Sequence, residues 1–357
     1  MPYHPFVTRV VPSMVMRRER MLPWRGDVLV SNGTRVRPGD AVARTQVPGE
    51  MHLLDVTRAL NLDEGDLSPY LRVGVGDQVE KGSVLAGIGS AGLLECSYRS
   101  PVAGIVAGVS HGRVLIQSSR NPLELPALYR GSVINVMSGL GAIIEVRGAL
   151  IQAIWGSDKE GFGVLRVMVD DRAQPIDSER IDMSCRGGIL VGASCLDELT
   201  LRRAEETEVR GMVVGALDAA LMSAVQEASF PVVVTEGMGE LGMSGAIFDL
   251  LKAYDGQEAT IRGLMESRGG AVRPEVIVYA SLVGENAELE TRPAFALETG
   301  SQVRLVGGPH MGETGVVTGL PSLARTLPSG CRARGVMARL DSGEEVFVAA
   351  ANVERFG

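Results

Sequence analysis

Five residues of the central region carry the groups best suited to hold a ligand: Ser194, Asp218, Thr235, Glu236 and Gly237. Each lies just after a short apolar run that reads as a strand. Ligands of open parallel sheets bind beyond the carboxyl ends of the strands. Helices that start at that edge also direct backbone N–H groups towards an anion. The sequence therefore predicts a candidate ligand crevice there, although the same residues also suit helix caps and turns.

Residues for nucleophilic or metal chemistry are missing from this region. No histidine occurs between His111 and His310, so the region cannot supply the base of a Ser-His-Asp set. The four cysteines lie far apart and lack metal-ligand spacing: Cys96, Cys185, Cys195 and Cys331. We predict reduced thiols in a cytoplasmic protein, with no catalytic residues, no metal and no cofactor.

A second group of candidate residues is basic. Arg17, Arg18 and Arg20 lie within residues 1–25, which we predict to be a basic arm. The others lie near the C-terminus: Arg304, His310, Arg325, Arg332 and Arg334. Guanidinium groups bind both carboxylates and phosphates, so these side chains are candidate contacts to a partner protein or a nucleic acid.

The spacing of apolar runs predicts an α/β domain with a parallel sheet over residues 187–280. The runs are Ile189–Val191, Met212–Val214 and Val232–Val234, and the helical stretches between and after them are 197–208, 218–228 and 244–251. We expect Ser194 or Asp197, then Asp218 and Ser244 to cap the helices, and Gly256 to end the third. The order resembles the swivelling α/β domains of phosphotransfer enzymes. That family carries phosphate on a histidine, and this stretch has none.

A repeated phrase marks residues 26–130. Gly33-Thr-Arg-Val-Arg-Pro-Gly-Asp-Ala-Val-Ala-Arg returns 43 residues later as Gly76-Asp-Gln-Val-Glu-Lys-Gly-Ser-Val-Leu-Ala-Gly. Each copy predicts a tight turn that leads into a strand. With Ser100-Pro-Val-Ala-Gly-Ile-Val, the second copy resembles the biotinyl/lipoyl-like barrel-sandwich hybrid over about residues 65–118. The carrier lysine of that family is absent from residues 87–99, because Lys81 belongs to the preceding turn. We expect no covalent biotin or lipoate.

The C-terminal region, residues 297–357, carries the clearest motif. The stretch from Gly300 to Val317 resembles a KOW motif, which implies a small SH3-like barrel that meets RNA or protein in ribosomes or RNA polymerase. The region holds six arginines and six carboxylates. This balance cannot provide the counterion release on which a strong phosphate binder depends, so a protein partner is at least as well supported as RNA.

Together these segments predict a multidomain fold of α/β plus all-β class. Residues 131–186 are predicted as a β connecting region and residues 281–296 as a linker. The arrangement resembles an uncharacterised prokaryotic family with a barrel-sandwich hybrid, a swivel-like α/β domain and a KOW domain in this order, which implies no activity. No apolar run reaches the roughly 18 residues of a membrane span.

Three functions remain open from the sequence. The first is a non-enzymatic adaptor that docks onto a large protein assembly, such as the transcription or translation machinery. The second is a ligand-binding or enzymatic domain that uses the strand-end crevice. The third is direct RNA or DNA binding through the basic arm and the KOW module, since the chain's net charge of −8 does not preclude a local basic patch.

Overall fold

The structure, a computed structural model, describes residues 7–62, 67–89, 96–119, 121–264, 273–279 and 297–356, and the backbone of 288–289. Strands make up 47% of the described residues and helices 13%, which is compatible with a mixed α/β plus all-β class. Within the described residues, no helix combines the length and apolarity that crossing a bilayer requires.

The N-terminal half is built mainly from strands. They are β1 (Val7–Thr8), β2 (Val10–Met21), β3 (Asp27–Val28), β4 (Arg35–Val36), β5 (Ala41–Val47), β6 (Met51–Asp55), β7 (Gln78–Val79), β8 (Val84–Ile88), β9 (Cys96–Arg99), β10 (Gly104–Ser110), β11 (Arg113–Ser118), β12 (Asn121–Pro126), β13 (Gly131–Met137) and β14 (Gly141–Gln152), with the short helix α1 (Val56–Ala59) after β6. Strands β6, β11, β10 and β7 form a four-stranded sheet, and β8 pairs with β9.

The repeated phrase folds the same way twice. Gly33 and Gly76 both have positive φ, and their amides donate to Val133 O and Val106 O, each at 2.8 Å. The hairpin β5–β12 pairs Ala41 with Pro126 and then Ala43 with Leu125. The hairpin β8–β9 has the same register and the same one-residue shift, from Val84–Arg99 to Ala86–Tyr98.

One copy is therefore nested inside the other. We call residues 51–118 the inner module; it is inserted between β5 and β12 of the outer copy and has a hydrophobic core of its own residues, from Leu54 to Ile116. The chain enters and leaves it at Gly49 and Ser118. A Cβ atom on Gly49 would lie 1.9 Å from Ser118 O, so only glycine permits this close approach.

The second half contains all the longer helices. Its elements are β15 (Trp155–Gly156), β16 (Glu160–Val167), β17 (Gly188–Val191), β18 (Cys195–Leu196), α2 (Glu198–Glu206), β19 (Gly211–Leu217), α3 (Met222–Glu227), β20 (Val232–Met238), α4 (Gly245–Ala253), β21 (Glu258–Arg262), β22 (Glu275–Val278) and β23 (Glu288–Leu289). Strands β16, β17, β19 and β20 are parallel neighbours. Every residue of β19 is buried, as expected for a strand covered on both faces. The three predicted apolar runs are thus confirmed as β17, β19 and β20.

The central sheet is larger than the predicted domain. It continues from β16 through the antiparallel strands β21, β22, β14, β13 and β4, and β2 pairs along most of β14. Residues 131–186 are therefore not a connecting region, since β14 and β16 lie inside the sheet. The described part of the predicted basic arm, residues 7–25, is not an arm, because Val10–Met21 is one of the longest strands of this sheet. Of the predicted linker 281–296, only the backbone of β23 is described, and it pairs with β2.

The C-terminal region forms a six-stranded sheet. The strands of this region are β24 (Gln302–Leu305), β25 (Thr314–Gly319), β26 (Arg325–Thr326), β27 (Arg332–Ala333), β28 (Gly335–Leu340), β29 (Glu345–Ala349) and β30 (Val353–Phe356). The sheet order is β1-β30-β24-β25-β28-β29, so β1 from the N-terminus completes it, while β26 and β27 form a separate hairpin. Nine residues from Leu297 to Val353 form the core of this sheet. We call residues 297–356 the C-terminal barrel after the SH3-like barrel predicted from the sequence, which stays a prediction.

Candidate functional site

The carboxyl ends of the parallel strands lie side by side, as the crevice hypothesis requires. Cys195 in β18 pairs with Ala216 in β19, and Ala216 pairs with Gly237 in β20. Ser194 and Gly237 therefore lie at the same edge of the sheet, on either side of β19. Asp218 follows two residues after Ala216 and is exposed.

Two aspartates of this edge serve the helices that follow. Asp197 Oδ1 accepts from the amide of Thr200 at 2.7 Å and caps α2, as predicted. Asp218 Oδ1 accepts from Ala220 N at 2.9 Å and caps the short 3-10 turn that leads into α3. Both carboxylates thus satisfy helix amides that would otherwise lack an acceptor.

Glu236 takes the role expected of Ser244. Ser244 stands at the N-cap of α4 but its hydroxyl makes no capping bond. The amide of Ser244 donates instead to Glu236 Oε1 at 2.9 Å. A carboxylate at this end of a helix is also favoured by the helix dipole.

The second oxygen of Glu236 binds an arginine of the C-terminal barrel. Arg304 lies in β24 and its side chain is 1% exposed. Its Nη1 donates to Glu236 Oε2 at 2.7 Å and to Thr235 O at 2.9 Å. The ring of Phe356 lies 5.1 Å from the guanidinium carbon. Glu236, predicted to line the ligand crevice, and Arg304, predicted to contact a partner, therefore bind each other.

Arg304 also binds Glu354, which extends the network to the N-terminus. Its Nε donates to Glu354 Oε1 at 2.5 Å. The other oxygen of Glu354 accepts from Thr8 Oγ1 at 2.9 Å and from Arg273 Nη2 at 3.3 Å. The two arginines balance the two carboxylates, which lets Arg304, Glu236 and Glu354 remain buried beside the partly exposed Arg273.

One depression lies at the strand ends, and it is very small. The depression lined by Ile176, Gly192, Ser194 and Val214 has no room for a water molecule. Thr235 is fully buried and its hydroxyl points to Val214 O. Burial raises the pKa of the neighbouring Cys195 thiol, which disfavours a reactive thiolate.

The predicted partner contacts Arg18 and Arg20 are wrong, because both side chains point into the fold. They share a face of β2 with the buried residues Met14 and Met16. Arg18 binds Glu275 through Nε and Nη2, both at 2.8 Å. Arg20, 6% exposed, binds both oxygens of Glu160 at 2.7 and 3.0 Å and Pro126 O at 3.1 Å. Arg304 is likewise unavailable to a partner.

Four of the predicted basic contacts remain exposed. They are Arg17 on the outer face of β2, and Arg325, Arg332 and Arg334 on and beside the hairpin β26–β27. His310 is partly buried and its Nδ1 lies 2.9 Å from Glu313 Oε1. The hairpin thus groups three of the five C-terminal candidates, whereas Arg17 lies on another sheet.

One feature of the site escaped the sequence analysis. Gly237, Gly239 and Gly242 have the spacing of a dinucleotide-binding loop. Gly237 lies near the end of β20, and Gly239 and Gly242 lie between β20 and α4. Gly237 and Gly239 have positive φ. The C-terminal region lies close to this loop: a Cβ atom on Gly237 would lie 3.4 Å from the Met311 side chain, and a Cβ atom on Gly312 would lie 3.7 Å from Leu241. The spacing was visible in the sequence, but the residues that lie close to the loop are about 70 positions away.

No protein-family model matches the chain, and no curated protein matches it either.

Proposed function

We propose that the protein is a non-enzymatic adaptor that docks onto a larger protein assembly. The observation that carries this proposal is the ion pair between Arg304 and Glu236. It places a side chain of the chain's own C-terminal barrel where a ligand of the α/β region would have to bind. The polar groups of the crevice thereby join parts of the molecule to one another.

The surface that remains supports docking. The basic hairpin, which we define as residues 320–334, stands between β25 and β28 of the C-terminal barrel. The resemblance of that barrel to KOW modules points to transcription or translation machinery as the kind of assembly involved. The inner module adds exposed apolar side chains on one face of its sheet, at Met51, Leu53 and Ile105.

Affinity purification from the native cell, with and without nuclease, tests the proposal. We expect the same set of protein subunits to be recovered under both conditions and to be identified by mass spectrometry. Recovery of the bait alone would overturn the adaptor function. Loss of all partners on nuclease treatment would instead establish contact through nucleic acid.

Ligand binding at the glycine-rich loop is the second candidate, because its spacing and its place between a strand and a helix suit a nucleotide phosphate. A thermal-shift screen with nucleotides and inorganic anions tests it. A ligand at 100 times its dissociation constant stabilises the protein by about 2.7 kcal/mol. We expect no shift from the intact chain, whereas a shift that Thr235→Ala abolishes would favour this second function.

A further inference from the structure

The basic hairpin concentrates positive charge, although residues 297–357 as a whole hold equal numbers of arginines and carboxylates. Residues 320–334 contain three arginines and neither aspartate nor glutamate. Since the chain has a net charge of −8, the residues outside the hairpin carry −11. A short positive projection on a negative protein attracts an acidic partner to that point and repels it elsewhere.

The hairpin is held by one arginine and presents the other two. Arg325 pairs with Ala333, and Thr326 pairs with Arg332, so Arg325 and Arg332 occupy opposite faces. Arg325 lies over the ring of Phe347 at 5.3 Å, and its Nη1 is 3.3 Å from Met337 Sδ. The Arg325 face therefore rests on the barrel, and the Arg332 face points away from it.

Exposed leucines accompany these arginines. Leu323 is 77% exposed, the highest value among the large hydrophobic residues of the described chain, and Leu320 is 48% exposed. Leucine side chains gain nothing from phosphate groups, but they gain free energy when an apolar protein surface covers them. The combination of cations and leucines therefore suits a polypeptide that carries both carboxylates and apolar side chains.

Nucleic acid fits this surface less well. No aromatic residue occurs in residues 320–334, and Arg325 covers the nearby ring of Phe347, so bases find no stacking platform. Three arginines can neutralise about three phosphates, which gives weak binding with a salt slope of roughly −2.7.

We infer that the basic hairpin binds a polypeptide segment that carries both carboxylates and apolar side chains, through Arg332, Arg334 and Leu323. This inference rests on the proposed adaptor function and names the chemistry of the partner at one of its surfaces. The carboxylates of the partner pair with the two outward arginines, and its apolar side chains cover Leu323. The contact needs no rearrangement of the barrel, since Arg325 already fixes the hairpin.

Fluorescence anisotropy with the full chain tests the inference. The probes are a labelled short peptide of alternating aspartate and leucine and a labelled single-stranded RNA of equal charge. We expect the peptide to bind more tightly than the RNA at the same salt concentration. The double substitution Arg332→Glu/Arg334→Glu should weaken peptide binding about tenfold or more, from the loss of two ion pairs and the gain of two repulsions. Leu323→Ser should weaken it about threefold or more, through lost apolar burial.

The matched control is Arg35→Glu/Arg37→Glu, which makes the same charge change at two exposed residues in and just after β4. It should leave peptide affinity unchanged, and circular dichroism should show all variants folded. Tighter binding of the RNA, no binding of the peptide, or equal affinity of the hairpin variants would overturn the inference. In the purification experiment, an assembly recovered equally well with the Arg332→Glu/Arg334→Glu variant would overturn the hairpin contact while leaving the adaptor function intact.

Discussion

Replacing Arg304 by methionine should destabilise the protein more than any other single arginine substitution in the C-terminal barrel. The side chain is 1% exposed and lies between Glu236 and Glu354, whose side chains are at most 3% exposed. Removal of one partner of a buried ion pair costs about 3–5 kcal/mol, because the remaining charge stays buried without compensation. At about 2–4 °C per kcal/mol, the melting temperature should fall by roughly 6–20 °C.

Differential scanning calorimetry measures this change, and Arg339→Met is the matched control. Arg339 is an exposed residue of β28 in the same barrel, so its loss should cost less than about 1 kcal/mol. Addition of Glu236→Gln to Arg304→Met should recover part of the loss. The amide keeps an acceptor for Ser244 N and removes one uncompensated charge. The reasoning fails if Arg304→Met melts within 2 °C (about 1 kcal/mol) of Arg339→Met.

Three further predictions follow from the buried and capping groups. Burial raises the pKa of Tyr279 to about 12, whereas the same tyrosine ionises near pH 10 in the unfolded state. The stability that Tyr279 contributes is therefore complete below pH 10 and is lost as the pH rises from about 10 to 12. Up to about 1.4 kcal/mol should disappear per pH unit, and Tyr279→Phe should flatten a plot of melting temperature against pH in that range; an unchanged slope would contradict the assignment. Iodoacetamide at pH 8 should modify the exposed Cys331 before Cys195, because the raised pKa of the Cys195 thiol lowers its thiolate fraction. Peptide mass mapping over time measures the order of modification, and earlier modification of Cys195 would contradict the prediction. Asp197→Ala should lower the free energy of unfolding in urea by about 1 kcal/mol, because the cap on Thr200 N is lost. Asp197→Asn should lower it by less. Equal losses in the two variants would show that the capping hydrogen bond does not cause the effect.

The sequence predicted those elements whose signal is local. The apolar runs at 189–191, 212–214 and 232–234 became strands, because short β-branched runs between helical stretches specify buried parallel strands. The caps at Asp197 and Asp218 were likewise visible, since capping depends on residues three or fewer positions away. The repeated turn phrase gave two turns with the same hydrogen bonds.

The errors came from partners that are distant in sequence. Arg20 binds Glu160, and Arg304 binds Glu236, 68 positions away. Spacing along the chain does not reveal such pairs, so both arginines were assigned to solvent or to a partner molecule. The sequence did not predict strand β2, because a half-buried strand is expected to alternate apolar and polar residues. In β2 the buried face of Met14 and Met16 continues with Arg18 and Arg20, so residues 17–20 show no such alternation. The contact at the predicted crevice was missed for the same reason: the arginine that binds Glu236 comes from another part of the chain.

The nesting of the inner module has a consequence for the order of folding. Pairing of β5 with β12 must close a loop of 73 residues, 48–120. If the inner module folds first, pairing of Met51 with Gln117 brings its two ends together, and only about six residues remain to be closed. The entropic cost of closure then falls by about 2 kcal/mol. Substitutions that unfold the inner core should therefore also slow the formation of the outer hairpin, which they do not touch.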